Sequence, residues 1–352
     1  MDVYEFDKRA KLSVAQGYNS KEMDPSFVAP ESSAKHYPSH IKSANGCTVT
    51  DVFDRKFVDY SCGHGTNLLG YGDPKIEDAI KKSLNFSAPI APFALDDEIY
   101  TAEKLKEYFP FVDNFKFLSS TKEAHDCAAA ISIAQTGRRQ VIYDVNQLND
   151  TVACVIVDPT LVESEKSNTK LLEYARLRCD EVGAMLIYDE TVSAFRHRYK
   201  CVASASGVLP DLIILGGPMA GGMNLAAVGG KQEQMNSPNY SVVQNHAANC
   251  INLAACREFV TQVQQRDFEM LWDHGARFVK RFNEIATGIA RISGTPTYGR
   301  LVGFPAFFNT CAEAGIIFTP KWFFSFALIE ESEKTLSIVA DVCHKLTQGK
   351  KA

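Results

Sequence analysis

Three stretches of this chain end an apolar run in residues that can do chemistry. The first is FLSSTKEA, where Ser119, Ser120, Thr121 and Lys122 stand between a strand-like run and a helix-like one. A helix start presents unpaired N–H groups and the positive end of its dipole, so hydroxyls and a cation placed there suit a phosphate. The spacing of Ser120 and Glu123 is also that of a capping box, which by itself more often marks an ordinary helix start. The second stretch is LIYDETVSAF, where Asp189 closes an apolar strand. A carboxylate buried there needs a donor to offset its desolvation. A protonated ring nitrogen is one such donor and loop amides are another. Glu190 beside it reads as structural or solvated. The third is LGGPMAGGMNLAAVGG, whose glycines allow backbone to approach a ligand closely but equally make a tight loop between strands.

Strands that end together must position these points, and the pattern supplies them. GCTVTDVFDRKFVDYS alternates around Asp54-Arg55 and predicts a hairpin. A glycine-rich loop follows, and Pro74 opens a helix to about Leu84. Residues 97–108 read as a second helix and NFKFLSS as a strand. After Ser120, the residues Ala124, Cys127, Ala128, Ile131 and Ala134 repeat with helical spacing, up to a stop at Gly137. QVIYDV, VACVIVDP, AMLIYDE, DLIILGG and LAAVGG are strands, with a helix at 166–182. VACVIVDP is apolar throughout, as in a strand buried on both faces. This rhythm predicts an α/β fold with a mostly parallel sheet covered by helices, whose ligands bind beyond the carboxyl ends of the strands. The organisation expected is a polar arm with one short helix (1–45), a large α/β domain (46–245, with the hairpin and glycine loop at 46–95), and a long helix leading into a smaller α+β region (246–352).

The bulk properties exclude several classes. With 352 residues, 22% charged, 45% hydrophobic and a net charge of -5, the chain suits a soluble globular protein with no nucleic-acid partner. No run of about 18 apolar residues suggests a membrane span, and the charged N-terminus lacks the features of a signal peptide. The ten cysteines form no CxxC pair, so neither a zinc site nor a redox motif is expected. They read as small core residues in a reducing, cytoplasmic compartment.

Taken in order, the segments resemble the class III aminotransferases, fold-type-I enzymes that use pyridoxal 5'-phosphate (PLP), and among them the glutamate-1-semialdehyde aminomutases. FLSSTKEAHDCAAAISIAQTGR resembles the family's "NSGTEA…TGR" segment. LLEYARLRCDEVGAMLIYDETVSAFR resembles "LRELTREHGALLIFDEVxTGFR", and LPDLIILGGPMAGGMNLAAVGGKQEQM resembles "PDLTTLGKxIGGGxPVGAxGGRREIM". The likeness runs from about Asn45 to the C-terminus. It implies that Asp189 holds the pyridine nitrogen, that Ser120, Thr121 and Lys122 face the phosphate, that Val192 packs under the ring, and that Asn245 falls near a threonine reaching a phosphate from the other subunit of a homodimer. His64 replaces a tryptophan on the substrate side.

The resemblance also implies losses. The family's "LGK", whose lysine forms a Schiff base and moves a proton, reads Leu215-Gly216-Gly217 here. Between QVIYDV and VACVIVDP only a few residues stand where the family has a lid and an aromatic that stacks on the ring, a contact worth about 0.5–1.5 kcal/mol. The resemblance leaves three readings: an aminomutase- or aminotransferase-like protein that binds PLP or pyridoxamine 5'-phosphate (PMP) without the lysine; a PMP-dependent, lysine-free enzyme such as a dehydratase, acting on a small amino- or keto-compound; or a non-catalytic pseudoenzyme that binds a ligand or a partner. A conventional enzyme with its lysine elsewhere would most readily use Lys122.

Overall fold

The computed structural model describes residues 36–38, 40–84, 95–160, 165–236 and 249–348. At the start, β1 (Ile41–Asn45), β2 (Thr48–Asp51) and β3 (Lys56–Asp59) form an antiparallel meander. The expected hairpin is β2–β3. The Asp51 carboxylate ties its turn by accepting from the N–H groups of Phe53 and Arg55, each at 2.9 Å. Residues 41–45 correct the reading of a polar arm: they are a strand, held by backbone pairing to β2 while most of its side chains stay exposed. Side chains facing solvent carry no alternation to read. Residues 1–35, the bulk of the arm, lie outside the described residues.

Helix α1 (Pro74–Ser83) begins with Pro74, and the Asp73 carboxylate caps the N–H groups of Lys75 and Ile76. Next come α2 (Asp96–Tyr108) and β4 (Asn114–Leu118). Helix α3 (Thr121–Thr136) is capped by Ser120 and closed by Gly137 at φ 69. Its buried face is Ala124, Cys127, Ala128, Ile131 and Ser132, so the apolar stripe is as expected except that Ser132 takes the place given to Ala134. Ser132 satisfies its hydroxyl on the Ala128 carbonyl, 2.8 Å away. Then follow β5 (Gln140–Ile142), β6 (Val152–Val157), α4 (Glu165–Val182), β7 (Met185–Asp189), α5 (Val202–Ser206), β8 (Leu212–Leu215), β9 (Ala226–Gly230) and α6 (Gln232–Met235). The long C-terminal helical stretch is two helices, α7 (Cys250–Gln264) and α8 (Phe268–Ile285), followed by β10 (Ala290–Gly294), β11 (Tyr298–Gly303), α9 (Pro305–Glu313), β12 (Ile316–Ile317), β13 (Lys321–Phe323) and α10 (Ser332–Gln348).

These elements divide into two compact units. One holds the described residues of Met1–His64, Leu69–Tyr71 and His274–Ala352, and the other Gly65–Leu68 and Gly72–Asp273. The boundary differs from the sequence-order division, which put the hairpin with the large domain. β3 pairs in parallel with β12, so backbone hydrogen bonds tie the hairpin to the C-terminal residues. Helix α7 instead belongs with the sheet: Thr101 in α2 donates to the Leu253 carbonyl at 3.3 Å, and Arg257 meets Asp97 at 2.7 Å.

The second unit contains a six-stranded sheet in the order β4-β9-β8-β7-β6-β5. The pairs β5–β6, β6–β7 and β7–β8 are parallel, while β9 runs antiparallel to both β8 and β4. The sheet is thus mostly parallel, as the alternation of strands and helices required. Every residue of β6, β8 and β9 is buried. Helix α3 lays its apolar face on this surface, packing Cys127, Ala128 and Ile131 with Cys154, Ile156, Ile187, Ile214 and Val228. Cys127 and Cys154 act here as the small core residues expected of them. Ile187, at the centre of the sheet, is fully buried. Replacing it with alanine should cost about 2–5 kcal/mol of stability, measurable as a lowered urea midpoint; a cost under about 1 kcal/mol would contradict this packing.

Candidate active site

The parallel strands deliver their carboxyl ends to one edge of the sheet. β7 ends at Asp189 opposite Ile214 of β8, and Leu215 of β8 lies opposite Ala227 of β9, which in turn faces Phe117 of β4. The three chemically promising stretches therefore meet. The contact is tight at Gly216: a Cβ placed there would lie 3.3 Å from the Thr121 methyl and 3.4 Å from the Thr191 methyl. The start of α3, the turn after β7 and the end of β8 form one locus.

Asp189 lies at its centre, with its side chain 20% exposed. Its Oδ1 accepts the N–H of Thr191 at 3.0 Å, and its Oδ2 lies 2.8 Å from Nε2 of His125. Burial alone would raise the acid's pKa, but the hydrogen bonds from His125 and Thr191 outweigh it and hold the carboxyl below its usual range. His125 is pushed the other way: its hydrogen bond to Asp189 overrides the effect of burial and raises the imidazole above the ordinary 6.5, with Asp126 adding to the rise. When the imidazole is protonated the two groups form an ion pair. Nothing in the sequence reading marked His125. The available signal was a histidine beside Ala124, on the margin of the apolar face of α3, where a side chain is only partly exposed and can reach the sheet edge.

Glu190, the next residue, has the opposite environment. It is fully buried and caps α5, accepting from the N–H groups of Val202 at 3.1 Å and Ala203 at 2.8 Å and from the Ser193 hydroxyl. Burial pushes its carboxyl up to about 7 despite those bonds. Its role is to fix the loop after β7; of the two readings, structural or solvated, the buried position selects the structural one.

The remaining site residues fall as follows. Ser120 and Glu123 cap the helix start in a variant of the capping box: the Glu123 N–H donates to Ser120 Oγ at 3.3 Å, and the Glu123 carboxylate accepts the N–H of Ser119, one residue before the cap, at 2.9 Å. By the geometry of a helix start, the N–H groups of Thr121 and Lys122 have no intrahelical acceptor. The Lys122 ammonium itself is turned to solvent, 2.7 Å from Asp126, with a side chain 83% exposed. Val192 is half-buried in the turn after Asp189. His64 belongs to the other unit, exposed within a left-handed run from Cys62 (φ 46) to Gly65 (φ 82). Asn245 lies outside the described residues. Among the described residues, no group of His, Cys, Asp or Glu is arranged to hold a metal ion, and no helix is long and apolar enough to cross a membrane.

The family model for aminotransferase class III matches residues 134–321, more than half of the chain. The chain belongs to the class-III aminotransferase family. Among curated relatives of this family member, the glutamate-1-semialdehyde 2,1-aminomutase of Geotalea daltonii is 27% identical, covering 86% of this chain and 82% of the relative. That of Francisella philomiragia is 28% identical, covering 73% and 72%. In structure, the Sphingopyxis sp. MTA144 FumI protein in a PLP form superposes with a TM-score of 0.87 at 19% identity, over 99% of this chain and 97% of that one. An omega-transaminase from Sphaerobacter thermophilus gives 0.84 at 19%, over 97% of each chain. At such identity these likenesses establish the fold, that of the fold-type-I PLP-dependent transferases.

The alignment with the Geotalea relative spans 366 positions, more than the 352 residues of the whole chain, although only 86% of the chain takes part. The relative therefore carries segments that this family member lacks. One short connection is visible at the sheet edge. β5 and β6 are parallel neighbours, yet only residues 143–151 join them, through the single 3-10 turn Val145–Gln147. Parallel strands are usually joined by a dozen residues or more, most often including a helix.

The His125–Asp189 pair has a pH signature. The raised pKa of His125 contributes stability that is complete below 6.5 and fades as pH rises through the folded value. The lowered pKa of Asp189 contributes stability that is complete above 3.8 and fades as pH falls through its own folded value. His125→Asn should therefore lose more stability relative to the parent protein near pH 5 than near pH 9. Denaturant titrations at both pH values measure this, and an equal loss at each would contradict the ion pair.

Proposed function

We propose that this class-III aminotransferase relative holds a B6 vitamer, PLP or PMP, by contacts alone, and that it has left lysine-dependent transamination behind. PLP is the cofactor of the family. The observation that carries the reading is the contrast at one locus: Asp189 keeps an ionised carboxylate at the end of β7, while Gly217 stands at the position that the resemblance gives to the lysine.

The residues present fit part of the group. A carboxylate offers about four lone-pair sites. At Asp189 the Thr191 N–H, the Thr191 side chain and His125 engage three of them, which would leave about one for a ring N–H. The Thr121 and Lys122 N–H groups would meet the phosphate, with the α3 dipole behind them. Val192 would pack beneath the ring. When bound, the group supplies an electron sink for charge developing on a substrate carbon. Thr191 and His125 hold the Asp189 carboxylate ionised, and His125 adds a proton store at that oxygen. Glu190 keeps the loop that carries Asp189 and Thr191 in one conformation.

The residues do not fit a covalent attachment at 217, because neither Gly217 nor Pro218 carries an amine or a base. The short β5–β6 connection also favours a site with less cover against water than a lidded enzyme has. Together these support a ligand-binding pseudoenzyme over a lysine-free enzyme that acts on an amino- or keto-compound. A homodimer in a cytoplasmic setting accompanies this reading by resemblance to the family.

Equilibrium dialysis of the purified protein against PLP and against PMP tests it. Both vitamers should bind, and Asp189→Ala should weaken each at least about tenfold, the effect of losing roughly 1.4 kcal/mol. Failure of both vitamers to bind, or binding indifferent to Asp189→Ala, would sink the proposal.

A further inference from the structure

We infer that position 217 is closed to any side chain, because the turn after Asp189 occupies the space where one would start; the absence of a lysine is built into the backbone. The inference rests on the reading of this locus as a former lysine-bearing B6 site.

Two independent features of Gly217 carry it. Its φ is +51, in the left-handed region that costs an L side chain energy and glycine nothing. A Cβ placed on it would lie 2.2 Å from the backbone oxygen of Thr191. That is far inside van der Waals contact, and the obstacle is a carbonyl that no rotamer change can remove. Gly216 next to it differs: it is extended, with φ -178, and the nearest atoms to an added Cβ are side-chain carbons of Thr121 and Thr191 at 3.3–3.7 Å.

The chain leading up to the Thr191 carbonyl is held at several points. The N–H of the same residue donates to Asp189 Oδ1 at 3.0 Å. The Glu190 N–H donates to the Ile214 carbonyl of β8 at 3.0 Å, and the Ala194 N–H returns to the Glu190 carbonyl at 2.9 Å. The buried Glu190 carboxylate clamps the same loop to the start of α5. To admit a side chain at 217, the Thr191–Val192 peptide that carries the carbonyl would have to turn away, at the residue whose own N–H helps hold Asp189 ionised. The site's remaining charged anchor and its missing lysine are thus coupled. Restoring the lysine would disturb the carboxylate that any bound ring nitrogen needs.

Three single variants test this. Gly217→Ala should lower the melting temperature of the ligand-free protein by several degrees, or leave no folded fraction. Gly216→Ala, in an extended backbone whose nearest neighbours are side-chain carbons at 3.3 Å or more rather than a carbonyl at 2.2 Å, should fall clearly less. Gly217→Lys, incubated with PLP, reduced with borohydride and mapped by peptide mass spectrometry, should carry no adduct at position 217. The inference is overturned if Gly217→Ala melts with the parent protein, or if Gly217→Lys folds normally and yields a stoichiometric adduct at that position. If the lysine variant does not fold, the alanine pair still decides. PLP and PMP binding by the parent protein is a separate readout. A protein that binds neither vitamer but loses stability on Gly217→Ala keeps the backbone inference and loses the ring-site reading.

Discussion

A carboxylate at the end of a buried strand has to be compensated, and the way Asp189 is compensated organises everything around it. Taking an ion out of water costs several kcal/mol even after relaxation. Asp189 recovers that cost from the Thr191 N–H on one oxygen and His125 on the other. The first contact fixes the 190–191 peptide after the strand, and the next carbonyl along, that of Thr191, faces Gly217. The second draws the first turn of α3 to the sheet edge. Glu190, one residue on and fully buried, meets the same demand with different partners and stays closer to protonation, its carboxyl raised to about 7. Two neighbouring carboxyls, one held ionised and exposed enough to accept another donor, the other sealed as a cap, divide the work into a site and its support.

Much of the fold was legible because its signals are local and periodic. The all-apolar VACVIV had to be a doubly buried strand, the Ser120-to-Gly137 span carried both of its caps, and Pro74 marked a helix start. Each is set by neighbours within a turn or two. The β1 strand was missed because it is held by backbone pairing with side chains outward. The grouping of the hairpin with the C-terminal residues was missed because it depends on the parallel pair β3–β12, whose partners lie more than 250 residues apart.

The site divides along the same line. Asp189 and the start of α3 were visible because a strand end and a capping box are sequence patterns. His125 was not, because the distance that matters runs from residue 125 to residue 189. The left-handed φ of Gly217 and the carbonyl opposite it are backbone facts with no residue-type signature; the sequence shows a glycine there but not that only a glycine fits. Family membership therefore describes scaffold and ancestry, and chemistry has to be argued from the residues at the locus.

In the function proposed, the scaffold keeps a B6-type site from which covalent attachment has gone. The most direct measurement is the intact mass of the parent protein after incubation with PLP and borohydride reduction, set beside the absorbance of the same sample between 300 and 500 nm before reduction. No single lysine should take up a stoichiometric adduct, and the bound vitamer should separate from the chain on denaturation. One reduced adduct per chain, mapped to a single lysine such as Lys122, would contradict it.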